Sequence, residues 1–346
     1  MANDKINILM TGGGAPGAAG ILRCLNREAR FNTIVADANP QAVGRYLGHD
    51  FEVIPLANDT SFIAKVLDLC RRRNIHVVLP LVTKELIILA NHYKEFELAG
   101  SKLLVSPAAS LEIANDKSRL YQFLQWRGMP VPEFRVVETV AQFKEAVTSL
   151  GYPGKSVCFK PSVSNGSRGF RIICADQDDH HVLFNEKPNN TYISVSEATR
   201  ILSFKPFPQL LVSEYLPGDE YSVDCLANYG EAVLIVPRRR TKMNNGISVE
   251  GEFHEEETII KYCRQILHEL QLHGNIGIQV KRSDAGKFLL LEINPRVQGS
   301  ISAAVGAGVN LPVLAVKQEL SMPIEASELI VKWGVKFSKY WNEVFY

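Results

Sequence analysis

No run of residues in this sequence reaches the roughly 20 apolar residues a membrane span needs, so no membrane partner is expected. The opening "MANDKINILM" has no long apolar segment and no small-residue cleavage site. It argues against a secretory signal and for a cytoplasmic protein. Neither sign of charge is in excess: 38 Lys and Arg stand against 37 Asp and Glu. A chain without surplus positive charge gains little from counterion release, so nucleic acid is not an expected partner. The six cysteines (Cys24, Cys70, Cys158, Cys174, Cys225 and Cys263) form no C-x-x-C pair and mostly sit in apolar runs. That leaves buried thiols rather than a zinc site or a disulfide framework. Internal repeats and low-complexity tracts are missing too.

What is present is an ordinary globular composition, 46% hydrophobic and 22% charged over 346 residues, enough for two or three domains. The first part alternates short apolar runs with amphipathic stretches. "INILM" (6–10), "TIVAD" (33–37), "FEVIPL" (51–56), "HVVLPL" (76–81) and "KLLVS" (102–106) read as buried strands. "SFIAKVLDLCRRR" (61–73) reads as a helix with Phe62, Val66 and Leu69 on one face. Strands alternating with helices imply a parallel sheet with right-handed crossovers and a ligand crevice beyond the strands' carboxyl ends.

The pattern then changes. "ASLEIANDKSRLYQFLQWRG" reads as one helix, and strand "FRVV", helix "TVAQFKEAVTSLG" and strand "SVCFKPS" follow it. Strands alternate over 209–236, "HEEETIIKYCRQILHELQL" is a long helix, and "GIQVKRSDAGKFLLLEIN" reads as a hairpin. Strands without intervening helices point to antiparallel sheet.

Three stretches carry chemistry. In the hairpin, a short turn at "SDAG" sets Gln279 near Leu290 or Glu292, and alternation places Gln279, Glu292 and Asn294 on one face. Oxygen ligands in so sparse a set, leaving room for water and phosphate, suit Mg2+; the plainer reading is a polar strand end in solvent. Arg296, just past Pro295, turns toward the same region. In "VCFKPSVSNGSRG", Lys160 ends a strand beside a loop (162–169) containing Gly166 and Gly169, whose backbone N–H groups can close around phosphate. It is not the Walker pattern, and a solvated loop is the alternative. In "LLVSEYLPGDEYSVD", a Pro-Gly turn is flanked by Glu214, Glu220 and Asp224, a hinge that can meet an adenine edge and a ribose, or a plain hairpin.

Taken in order, "ANDK", "FKPSVSNGSRG", "VSEYLPGDEYSVD", "IQV" and "LLLEINPR" resemble an ATP-grasp enzyme, of the carbamoyl-phosphate-synthetase large-chain-like branch. The resemblance implies an α/β protein with three parts. These are a Rossmann-like parallel sheet over 1–112, a small grasp subdomain with a phosphate flap over 113–205, and a large subdomain with the metal site over 206–346. It implies that Lys117 and Lys160 contact ATP phosphates, that loop residues Ser164, Gly166 and Gly169 form the flap, and that Glu214, Tyr215 and Leu216 line the adenine pocket. Glu220 would hold the ribose, and Glu292 and Asn294, assisted by Gln279, would bind magnesium, with manganese as the alternative ion. Arg296, Lys160 and Asn294 would act on the reacting groups. The basic run "VPRRRTKMNNG" adds Arg238, Arg240 and Lys242 as candidates. The chain has the length of one ATP module where a carbamoyl phosphate synthetase large chain has two, so that full role is not expected.

The implied activity is an ATP- and Mg2+-dependent ligase that turns an acceptor carboxylate into an acylphosphate and joins it to an amine. Phosphorylation of a carboxylate or carbamate without ligation is a variant of it. A different class competes. "ILMTGGGAPGAAG" (8–20) contains Gly12-x-Gly14-x-x-Gly17, and Asp37 follows twenty residues later, the arrangement of a nicotinamide-binding oxidoreductase. The turn equally serves a second substrate, a domain interface, or packing alone. A catalytically silent nucleotide sensor is the third reading. "PLVTKE" (80–85) places Thr83, Lys84 and Glu85 at a strand's carboxyl end, to meet an acceptor or to cap a helix. The aromatic tail "KWGVKFSKYWNEVFY" reads as packing that closes the core, with a homodimer contact as its other use.

Overall fold

A computed structural model describes residues 5–164, 166–185, 190–244, 246–340 and 342–346. The chain divides into two compact units: Met1–Asn115 with Glu220–Val280 and Leu291–Tyr346, and Asp116–Asp219 with Lys281–Leu290. The expected boundary at residue 205 therefore falls inside the second unit.

The first unit begins with β1 (Ile6–Thr11), α1 (Ala18–Leu25), β2 (Phe31–Asp37), β3 (Asp50–Val53), α2 (Phe62–Arg72), β4 (Val77–Pro80), α3 (Thr83–Asn91), α4 (Tyr93–Leu98), β5 (Lys102–Leu103) and α5 (Ala108–Ala114). The strands form a parallel sheet in the order β3-β2-β1-β4-β5. Alternation along β1 explains its unbroken apolar run: Ile8 and Met10 pack with α1 residues Ile21, Leu22 and Leu25, and Leu9 packs on the other face with Phe62, Val66 and Leu86. β2 and β4 both pair with β1 in parallel, and the order in which strands are added reverses at β1, so the carboxyl ends of β1 and β4 flank the sheet's switch point.

The second unit contains α6 (Lys117–Trp126), β6 (Phe134–Val137), α7 (Val140–Ser149), β7 (Val157–Pro161), β8 (Arg171–Ile173), α8 (Asp179–Asn185), α9 (Val195–Leu202) and β9 (Leu210–Glu214). Its antiparallel sheet runs β6-β9-β7-β8 over a core that includes Val137, Phe143, Val147, Phe159 and Val212. The single helix expected across "ANDK" is two, α5 and α6. Asp116 is extended between them, and its carboxylate accepts from the N–H groups of Ser118 and Arg119. That is an N-cap, and it fixes Lys117 as the first residue of α6.

The remaining elements are β10 (Glu220–Asn228), β11 (Glu231–Asn244), β12 (Ile247–Phe253), α10 (Glu257–Glu269), β13 (Gly274–Arg282), β14 (Phe288–Asn294), α11 (Leu311–Glu319) and β15 (Lys336–Ser338). They build a six-stranded sheet in the order β14-β13-β10-β11-β12-β15. Leu226, Val236 and Phe253 of this sheet share a core with β1 and α1. The tail packs within its own unit: β15 pairs with β12, and the Tyr346 ring stacks on Tyr46 at 4.1 Å. Trp341 lies outside the described residues. All six cysteines are free thiols, five of them buried. Among the described residues no helix is long and apolar enough to cross a membrane.

Candidate active site

The glycine turn is occupied by its own chain. The Gly14 N–H donates to Asp37 Oδ2 (2.7 Å), and the Asn39 N–H to Oδ1 of the same carboxylate (2.8 Å). The acid that would grip a ribose in a nicotinamide enzyme instead braces the turn. A Cβ at Gly17 would lie 2.3 Å from Gly299 Cα, and one at Gly20 2.5 Å from Ser302 Oγ. The glycines thus let the segment after β14 come up against the start of α1, where a dinucleotide's pyrophosphate would sit.

Beside that turn, Glu85 in the first turn of α3 is buried and accepts from Thr11 Oγ1 at 2.5 Å. Burial, reinforced by the Asp37 charge and opposed by the Thr11 hydrogen bond, raises its pKa from 4.5 to about 7. Between those values the folded chain holds more proton than the unfolded one. This group's contribution to stability therefore falls as pH rises through the window and is flat above it. Glu85→Gln should remove that slope and gain about 2 to 3 kcal/mol at pH 8 relative to the native chain. Urea midpoints of both proteins at pH 5 and pH 8 read it directly, and parallel pH dependence would contradict it.

At the end of β14 the side chains form a linked row. Asn294 Nδ2 donates to Glu292 Oε1 (3.3 Å), and Arg296 Nη2 lies 3.5 Å from Asn294 Oδ1. Arg296 is also held by the first residue of α3: its Nε donates to Thr83 Oγ1 at 3.0 Å. Burial disfavours the charge on Arg296, and the Glu292 carboxylate partly offsets this. The hairpin turn closes with Ser283 N–H donating to Lys287 O and Gly286 N–H to Ser283 O. Among the described residues no group of three His, Cys, Asp or Glu is placed to hold a metal. A cation here would rest on one carboxylate and amide oxygens, a hard and sparse set that fits Mg2+ completed by phosphate.

The basic run on β11 divides. Arg238 is fully buried and donates to Asp224 and Ser300, Arg240 pairs with Glu220 and donates to Gly246 O (2.5 Å), and Lys242 lies 3.5 Å from Glu250 in solvent. The carboxylate expected to hold a ribose, Glu220, is thus already engaged by Arg240.

In the second unit, Lys117 is buried at the start of α6, and its Nζ donates to Ser164 O at 2.6 Å. Ser118 Oγ meets Ser162 Oγ at 2.6 Å, which ties α6 to the loop after β7. Lys160, next to last in β7, holds its Nζ 5.8 Å from the Tyr121 ring centroid. In the loop, Ser164 Oγ donates to Pro161 O, and Gly166, Ser167 and Gly169 are all left-handed (φ +64°, +58° and +78°). Asn165 lies outside the described residues. A Cβ at Gly169 would sit 2.6 Å from the Pro161 ring, so the loop folds back on its own strand. On the hinge, Glu214 Oε1 accepts from Glu133 N–H, and Leu216 is buried. Tyr215 lies under Lys281, whose Nζ is 4.6 Å from the ring centroid and 3.4 Å from the hydroxyl. Sequence reasoning missed Lys281. Its signal was its place two residues beyond Gln279 on β13.

Residues 206–338 match the family model described as "ATP-grasp in the biosynthetic pathway with Ter operon". The chain carries an ATP-grasp domain. Residues 8–104, which hold the parallel sheet, match "PylC-like, N-terminal domain". The carbamoyl phosphate synthase large chain of Archaeoglobus fulgidus is 26% identical over 257 residues, covering 71% of this chain and 22% of its own length. That of Clostridium acetobutylicum is 23% identical over 338 residues, covering 92% and 29%. The chain thus spans under a third of the length of these relatives. An N5-carboxyaminoimidazole ribonucleotide synthetase in complex with ADP superposes with a TM-score of 0.70 at 17% identity, covering 94% of this chain and 80% of that one. The L-amino acid ligase of Bacillus licheniformis gives 0.65 at 17%, covering 94% and 76%. Both share the ATP-grasp fold, and the mixed parallel and antiparallel sheets agree with the fold expected from sequence.

Proposed function

We propose that this chain is an ATP- and Mg2+-dependent ligase that activates a carboxylate and joins it to an amine. The observation that carries the reading is the row Glu292–Asn294–Arg296 at the end of β14. A carboxylate, an amide and a guanidinium are held in series there by hydrogen bonds. Glu292 and Asn294, with Gln279, would hold the metal ion, which would supply positive charge against the phosphates. Lys117, Lys160 and the loop residues Ser164, Gly166 and Gly169 hold the phosphates, and Glu214, Tyr215 and Leu216 take the adenine. Glu220 reaches the ribose while keeping Arg240.

An acceptor carboxylate oxygen attacks the γ-phosphorus, the bond to the β-phosphate oxygen breaks, and ADP leaves. The amine nitrogen then attacks the acylphosphate carbonyl, phosphate departs, and the amine loses a proton. Arg296 and Lys160 stabilise the charge that accumulates, so the work is positioning and electrostatics rather than enzyme nucleophilicity. The relatives in sequence are carbamoyl phosphate synthase large chains, and ADP is bound in a structural neighbour. Both support this chemistry. Cytoplasmic location and a homodimer belong to the same proposal.

A coupled ADP-release screen against pooled carboxylates and amines tests it. Release is expected only with Mg2+ and one matched pair, whereas equal slow release in every pool would favour a nucleotide sensor. Thr83 supplies a sharper check as a positioning residue. Thr83→Val keeps the shape but removes the acceptor for Arg296 Nε. It should lower kcat about 10- to 100-fold with KM for ATP unchanged, and Thr83→Ser should restore it. A changed KM with constant kcat would contradict that role.

A further inference from the structure

Thr11 is the last residue of β1, and Glu85 lies in the first turn of α3, just beyond β4. Their side chains meet at the switch point of the parallel sheet, where open α/β folds bind their ligands. Glu85 Oε2 carries the Thr11 hydrogen bond. Oε1 bonds no described residue, and it is not sealed from solvent. The residues around it leave a way in: Gly14 and Lys84 are exposed, and Val82 and Thr83 are half-buried.

The charge that acts on Glu85 has its own sign. Asp37, at the end of β2, adds to burial in raising its pKa, and only the Thr11 hydrogen bond opposes them. No cation belongs to this set, so the ligand it lacks is a positive one. Two residues earlier on α3, Thr83 Oγ1 holds Arg296, the guanidinium that the ligase reading sets against the reacting charge. One turn of helix thus joins the support of that guanidinium to a carboxyl suited to an amine. Glutamine at position 85 would keep the size and the bond to Thr11, and it is expected to make the fold more stable at pH 8. A charge kept at the expense of stability marks a functional position.

We propose that Glu85, braced by Thr11, binds the amine substrate as its ammonium and takes the proton that this nitrogen must lose before it attacks. The proposal rests on the ligase reading and adds to it the residue that activates the nucleophile. Oε1 accepts an N–H of the ammonium. That N–H bond breaks, its electron pair stays on nitrogen, and an O–H bond forms on Oε1. The freed pair attacks the acylphosphate carbonyl, and phosphate leaves. With its pKa raised to about 7, the carboxyl is ionised often enough near neutrality to receive the proton and basic enough to draw it.

The test is coupled ADP release at pH 7 from the full chain with ATP, Mg2+ and pooled carboxylates, run once with pooled amines and once with hydroxylamine. Hydroxylamine is already neutral at that pH and traps an acylphosphate without a base. Glu85→Gln should lower amine-dependent release by about 100-fold. Hydroxylamine should return that variant to within about tenfold of the native chain. A thermal midpoint at or above native at pH 8 shows the variant folded. In the native chain, amine-dependent kcat/KM should rise between pH 6 and pH 8. Thr11→Val, which removes the one bond favouring the ionised carboxyl, should move that rise to higher pH. Amine-dependent release by Glu85→Gln within about tenfold of native, no rescue by hydroxylamine, or an unmoved rise in Thr11→Val would overturn the proposal and leave the ligase reading standing. No release by the native chain with either nucleophile would overturn both.

Discussion

Glu292→Gln is expected to cut Mg2+-dependent ADP formation by on the order of 1,000-fold while the protein stays folded. The side chains have nearly the same shape, so the change removes charge and little else. Glu292 is the only carboxylate in the row with Asn294 and Arg296. Without it a divalent ion is left with amide oxygens and phosphate, and the γ-phosphate loses the charge that orients it. The loss should appear in kcat and be only partly recovered at high Mg2+. A thermal midpoint close to native separates a lost metal from a lost fold. Retention of more than a tenth of native turnover would remove Glu292 from the metal site.

The largest loss of stability is expected from Asp224→Ala. Asp224 and Arg238 are both fully buried and lie 3.3 Å apart. Burial pushes the carboxyl up and the guanidinium down in pKa, and each partner's charge opposes the other's shift. Removing the carboxylate strands a buried cation with Ser300 as its remaining acceptor, a loss of about 3 to 5 kcal/mol. Asp224→Leu combined with Arg238→Met should cost clearly less than Asp224→Ala alone, because no unpaired charge remains. Urea midpoints decide it. A single-variant loss below about 1 kcal/mol would mean that water reaches the guanidinium.

What the sequence reveals follows the range of the interactions. The parallel sheet is legible because β1, β2 and β4 are buried on both faces and so appear as unbroken apolar runs. The β13–β14 hairpin is legible from a local turn around Gly286. The break between α5 and α6 was written in "ANDK" as an N-cap aspartate, though the helical periodicity on either side hides it. The pairs that define the chemistry are not local. Thr83 and Arg296 are 213 positions apart, and no periodicity links them. Glu220 reads as a ribose ligand on the hinge motif alone, and only the pairing of β10 with β11 brings Arg240 to it. The role of the glycine turn is hidden for the same reason: Gly17 packs against Gly299, far along the chain.

The most direct measurement compares two nucleotides on one protein: calorimetric titration of the native chain with ATP in Mg2+ and, separately, with NAD. Saturable ATP binding that needs Mg2+ and weakens at least about tenfold in Glu292→Gln is expected, with no saturable heat from NAD. Tight NAD binding that Gly14→Val abolishes, beside ATP binding indifferent to Glu292, would contradict it.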